Sequence, residues 1–197
     1  ENEGTYPRLL ERMLNSQSDG RKYYQVLNFG VWGYDSCDLK TVYRREVLEF
    51  DPDMVLIMSG WNDIGKLGQS KINSIEDYCK NNYSVLSNSN LYRLLDFWIK
   101  TPWQEKQFSH QKLKNLGQNS IYYLKNIREI ISTAKKRNTL VGMVDLPALY
   151  ETTTPNEDIK EMMQFAHVTI NQMNYQLASG LKINKLIGQI VSEFENT

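Results

Sequence analysis

Histidine, cysteine and net charge are all scarce in these 197 residues, and each scarcity closes off a class of protein. There are two cysteines, Cys37 and Cys79, too few for a disulfide framework. Neither belongs to a Cys-x-x-Cys or a cysteine–histidine cluster, so no structural zinc site is expected, and whether the two pair is left open. The 23 basic residues balance 23 acidic ones. No global field therefore draws the chain to nucleic acid or to anionic lipid. No apolar run reaches the roughly 18 residues of a membrane span. Internal repeats, low-complexity tracts and linkers are missing as well, so one domain is expected. With a hydrophobic content of 41% the chain can bury one substantial core. Histidine is limited to His110 and His167, which makes any histidine-dependent chemistry easy to check.

What is present alternates two periods, the mark of an α/β domain. Residues 6–14 read as a helix with Leu9, Leu10, Met13 and Leu14 on one side and Pro7 in its first turn. Residues 23–29 read as a strand that ends in Gly30-Val31-Trp32-Gly33. A helix follows, capped by Asp35 or Ser36, with Leu39, Val42, Tyr43 and Val47 inward, and stops near Phe50. Residues 54–58 form a continuous apolar run, the pattern of a parallel strand covered on both faces. Residues 65–116 break the rhythm and read as a helical insertion, with one helix over 89–99.

The second half resumes the alternation. Residues 117–137 form an amphipathic helix with Ile121, Leu124, Ile127, Ile131 and Ala134 inward, and 139–144 form a strand. Thr154-Pro155-Asn156-Glu157 is a capping box, and the helix it opens should end at Gly180. Residues 185–191 fit either a helical stripe or a short strand, and alternation favours the strand.

In open α/β sheets, ligands bind beyond the carboxyl ends of the strands. Two loops have that position and a suitable composition: Asn28 to Ser36, and Ser59-Gly60-Trp61-Asn62-Asp63. Here the sequence resembles the SGNH, or GDSL, hydrolases, a flavodoxin-like superfamily of esterases, lipases and carbohydrate deacetylases. Gly60-Trp61-Asn62-Asp63 matches the family's Gly-x-Asn-Asp block after an apolar strand. Val26-Leu27-Asn28 with Gly33 matches the block before it, and Thr5-Tyr6-Pro7 and Asp51-Pro52-Asp53 are similar to flanking stretches of the same family.

The resemblance implies a three-layer α/β/α fold with a mainly parallel sheet in flavodoxin-like order. It also implies hydrolysis of an ester, of acetyl or short-acyl groups on a carbohydrate or lipid, by a Ser nucleophile, a His base and an Asp that orients it. Carried over, the Gly33 N–H and the Asn62 side-chain amide become oxyanion donors. Losing one such donor typically costs about 10²–10³ in rate. Trp32 and Trp61 could line the acyl pocket or simply pack at strand ends, and Asn28 and Asp63 would stabilise the loops. No metal or cofactor is implied.

The departures are specific. Only Glu1 to Gly4 precede Thr5, where the Gly-Asp-Ser block should lie, and neither histidine stands three residues after an Asp. The expectation is therefore an internal fragment without nucleophile, base or orienting acid, and without the central first strand. Residues 23–29 and 54–58 should then flank a gap. Ser36 and Ser59 stand near the crevice with no histidine in a known arrangement. A non-catalytic relative, and a nucleotide-binding domain that cradles phosphate on Gly30 to Gly33, are the alternatives.

Overall fold

A computed structural model describes residues 4–69, 72–80, 110–147, 157–158 and 170–195. The helix expected over 89–99, the capping box at Thr154-Pro155 and His167 lie outside these residues. The chain divides into two compact units, 1–32 and 33–197.

In the first unit, helix α1 spans Tyr6–Gln17 with Pro7 in its first turn, where a missing N–H costs nothing. The strand expected over 23–29 is not formed. Among the described residues the segment pairs with no strand, and side chains of α1 take up some of its backbone groups instead. Asn15 accepts from the Tyr24 N–H and donates to the Tyr24 carbonyl, both at 2.8 Å. Glu11 accepts from the Val26 N–H at 2.7 Å. A carboxamide offers one donor and one acceptor side by side, so it can stand in for a neighbouring strand at one residue.

The second unit opens with helix α2, Ser36–Arg45, capped by Asp35. The Asp35 side chain accepts from the N–H groups of Cys37 and Asp38, and Asp38 reaches back to the Asp35 N–H, a full capping box. A single 3₁₀ turn, Val47–Phe50, follows and ends at Asp51 in left-handed conformation. Strand β1, Met54–Ile57, leads into helix α3, Trp61–Leu67, and helix α4, Ile75–Cys79. Helix α5, His110–Lys136, starts seven residues earlier than its sequence pattern suggested, so 110–116 belong to it and not to the insertion. Strand β2, Leu140–Met143, then pairs parallel with β1, Met54 opposite Leu140 and Ile57 opposite Met143.

The last element is helix α6, Ile170–Glu195, which corrects two expectations. Residues 185–191 are helical, not a strand, since Ile183, Ile187 and Ile190 recur at helical spacing and are all buried. Gly180 does not end the helix but lies inside it, where a Cβ would stand 3.6 Å from the Trp61 ring.

The chain is thus mixed α/β and mostly helical, with a two-stranded parallel sheet among the described residues. Helix α5 is central: it packs on α2, α3, α6 and β2 and buries Leu116, Tyr123, Ile127, Ile130, Ile131 and Ala134. Ile121, expected inward, is 59% exposed, because the buried face is centred on Tyr123 and Ile127. The sheet, expected to be covered on both faces, buries Ile57 but leaves Met54, Leu56, Met58 and Leu140 exposed on the other.

Candidate functional site

The site is built where β1 ends. Gly60 turns the chain into α3 with φ +132°, and a Cβ there would lie 2.7 Å from Ile183 Cγ2 and 3.1 Å from Leu146 Cδ1. Both the conformation and the space require glycine. That turn puts Trp61, Asn62 and Asp63 in the first turn of α3, with Asn62 exposed and Asp63 fully buried.

Asn62 and Asp63 both reach the loop before α2. The Asn62 Nδ2 donates to the Tyr34 carbonyl at 2.9 Å. The Tyr34 carbonyl belongs to the residue after Gly33, whose φ of +91° favours glycine. The Gly33 N–H has no hydrogen-bond partner among the described residues. Asp63 accepts from the Ser36 N–H, 3.1 Å from each oxygen, and from the Ser36 hydroxyl at 2.6 Å. The structure therefore brings Gly33 and Asn62 to neighbouring loops and ties those loops together through Asp63.

Sequence reasoning missed the shell behind them. The Tyr78 hydroxyl, on α4, donates to Asp63, and Lys66 pairs with the buried Asp35 while its ammonium lies 5.8 Å from the Tyr78 ring centre. Cys37 and Cys79 form a disulfide that joins α2 to α4. Helix α5 presents a column of polar side chains to the same region. Asn119 donates to the carbonyls of Leu67 and Gln69, both at 2.9 Å, and so takes up orphan carbonyls where the short α3 ends. Tyr123 donates to the Ser59 carbonyl at 3.1 Å. Asn126 donates to the Ser36 hydroxyl and to Cys37 Sγ, each at 3.2 Å. A signal was available: Asn115, Asn119 and Asn126 stand on the side of an amphipathic helix that is otherwise apolar. Amides on such a face need partners.

Burial governs the electrostatics here. Desolvation holds the Asp63 carboxyl above the usual carboxylate range, although the Ser36 and Tyr78 hydrogen bonds pull it down. Burial, with the charge of Asp63 close by, raises both Tyr78 and Tyr123, which stay neutral donors.

The other sequence candidates are placed as follows. Trp61 is half-buried beside Gly180, whereas Trp32, in the first unit, is 90% exposed. Asn28, in the same unit, accepts from the Gly30 N–H at 3.0 Å and closes a local turn. Ser36 is fully buried with its hydroxyl donated to Asp63. The Ser59 hydroxyl is enclosed and has no hydrogen-bond partner among the described residues. Among the described residues no group of three or more His, Cys, Asp or Glu could hold a metal ion, and no helix is long and apolar enough to cross a membrane. In comparisons with known proteins, no family model, curated protein or solved structure matches the chain.

Proposed function

We propose that this chain carries the oxyanion-binding half of an SGNH-type ester hydrolase, the activity that the motif resemblance implies. One observation supports it most: Asn62, exposed in the first turn after β1, bonds the loop that holds the free N–H of Gly33. A glycine N–H and a carboxamide on adjacent loops are donors of the kind that stabilise a tetrahedral intermediate. Asn62 Nδ2 carries two hydrogens, and its bond to the Tyr34 carbonyl uses one, which fixes the amide in place and leaves the other to donate. The nucleophile, the base and the orienting acid come from outside the matched blocks. The wider α/β/α order in flavodoxin-like arrangement, and acetyl or short-acyl esters of a carbohydrate or lipid as substrates, belong to the same proposal. The reaction requires no metal or cofactor.

The test is hydrolysis of p-nitrophenyl acetate by the chain extended on both sides by its natural coding sequence. Asn62→Ala in that protein should lower turnover by about 10²–10³, and the 197 residues alone should be inert. Turnover unchanged by Asn62→Ala would remove the assignment. The same Asn62–Tyr34 bond favours a second reading, a non-catalytic module in which Asn62 fastens the loop. In that case Asn62→Ala lowers stability and the extended chain hydrolyses no ester.

A further inference from the structure

The disulfide is not an isolated staple but one end of the buried network. Cys37 is the second residue of α2 and is buried, while Cys79 is the last residue of α4 and half-buried. Tyr78, next to Cys79, donates to Asp63, and Asp63 holds the Ser36 N–H next to Cys37. Asn126 lies against the bridge itself: its Nδ2 is 3.2 Å from Cys37 Sγ and 3.8 Å from Cys79 Sγ. The Oδ1 of the same amide is buried and has no hydrogen-bond partner. An unmet acceptor of this kind is costly, and a thiol S–H is a donor that a disulfide cannot offer.

We propose that Cys37–Cys79 is a reducible clasp, opened by an external dithiol that attacks Cys79, with Asn126 receiving the sulfur of Cys37. The attacking thiolate forms a bond to Cys79 Sγ, and the bond to Cys37 Sγ breaks. Cys37 leaves as a thiolate beside the Asn126 N–H and takes a proton from water. The second thiol of the dithiol, as its thiolate, then displaces Cys79, which is protonated in turn. The protein gains two electrons and two protons, and the reductant leaves as its own disulfide. The direction follows from burial, since Cys79 is the less buried of the two cysteines, and from the Asn126 N–H, which lies closer to Cys37 Sγ than to Cys79 Sγ and stabilises the leaving thiolate.

Opening frees α4 from α2. Tyr78 then holds Asp63 through one hydrogen bond without covalent support, and the start of α2 loosens with the loop that carries Gly33. The bridge persists in oxidising compartments and opens in reducing ones, so the state of the loop follows the compartment. Redox control of ester hydrolysis rests on the functional reading above, whereas the clasp itself does not.

The test uses the 197-residue chain and no activity. Purified protein is treated with reduced glutathione, a monothiol that stops at the mixed disulfide, then quenched with iodoacetamide and mapped by mass spectrometry. Glutathione should sit on Cys79 and the alkyl label on Cys37, with at least a tenfold excess over the reverse. Asn126→Leu should slow the reduction severalfold. Hydrogen exchange should speed up at the amides of Ser36 and of 75–79 after reduction by dithiothreitol, and the double variant Cys37→Ser with Cys79→Ser should reproduce that pattern. Glutathione on Cys37, no reduction without denaturant, or equal exchange before and after reduction would each overturn the clasp. Because exchange is read on wild-type protein reduced in place, a double variant that fails to fold leaves the test intact. Because no step of this test reads ester hydrolysis, failure of the clasp and failure of the functional reading are told apart.

Discussion

Ser36 gives Asp63 both its backbone N–H and its hydroxyl, although the two residues are 27 positions apart and neither is exposed to water. The contact joins the first residue of α2 to the first turn of α3, and Tyr78 adds a third donor from α4. A buried carboxyl surrounded by donors concentrates the cost of folding in one titratable group, which makes its protonation visible in stability.

The first prediction concerns pH. Desolvation, the largest influence, holds the Asp63 carboxyl above its unfolded value. The folded chain therefore binds a proton more readily than the unfolded one. The stability this provides is full below the unfolded carboxylate pKa and is lost as pH rises through the folded one. Urea midpoints measured across that window should fall with rising pH in the wild type and flatten in Asp63→Asn. Equal slopes in the two proteins would show that the dependence comes from other groups.

The second prediction separates two glycines of the site. Gly60→Ala combines an unfavourable φ with a Cβ 2.7 Å from Ile183, and should cost about 3 kcal/mol or more from strain and overpacking together. Gly33→Ala meets nothing within 4 Å, so only its φ of +91° is penalised, at about 1–2 kcal/mol. Chemical denaturation of both variants checks the order. A Gly33 variant as unstable as the Gly60 variant would mean that backbone conformation, and not packing, sets the requirement at both positions.

The two glycines also show what was legible in the sequence and what was not. Local chemistry could be read: a cap at Asp35 or Ser36, which the structure resolves to Asp35, Pro7 in a first turn, and the apolar run 54–58, of which Met54–Ile57 is a strand. Gly33 and Asn62 were singled out on motif spacing, and the structure brings their loops together. Long-range partnerships could not be read. Whether residues 23–29 found a neighbouring strand or the side chains of Asn15 and Glu11 is decided by tertiary context, which overrides β propensity. Tyr78 and Asn126 escaped notice because nothing local marks a side chain whose partner lies 15 or 90 residues away.

A third prediction follows from Asn184, which grips Leu146 as Asn15 grips Tyr24. Its Oδ1 accepts from the Leu146 N–H at 2.8 Å, and its Nδ2 donates to the Leu146 carbonyl at 3.0 Å. This fork fastens the chain just past β2 to α6, beside the Leu146 methyl that bounds Gly60. Asn184→Ala leaves two partly buried backbone groups without partners and should cost about 2 kcal/mol. Asn184→Asp keeps the acceptor and loses the donor, so its cost should be intermediate. An Asn184→Ala variant with the wild-type urea midpoint would show that water replaces the fork at no cost.

The last prediction tests the helical assignment of 170–195. Gly188 lies on the exposed side of α6, and a Cβ there would meet nothing within 4 Å. Glycine inside a helix is less favourable than alanine by about 0.5–1 kcal/mol, chiefly because the unfolded chain loses more freedom on folding. Gly188→Ala should therefore raise the melting temperature, and the gain should come without any change in the packing of Ile187 or Ile190. Gly180→Ala tests the same helix from its buried side. Its Cβ would reach ordinary contact with Trp61 at 3.6 Å, so the helical gain should survive there too. Alanine also improves on glycine in a strand, so Gly188→Thr is the discriminating variant: threonine is favoured in strands and less favourable than alanine inside a helix. Thermal melts of Gly188→Ala and Gly188→Thr decide between the conformations: a higher melting temperature for the alanine variant supports the helix, and a higher one for the threonine variant would return 185–191 to a strand.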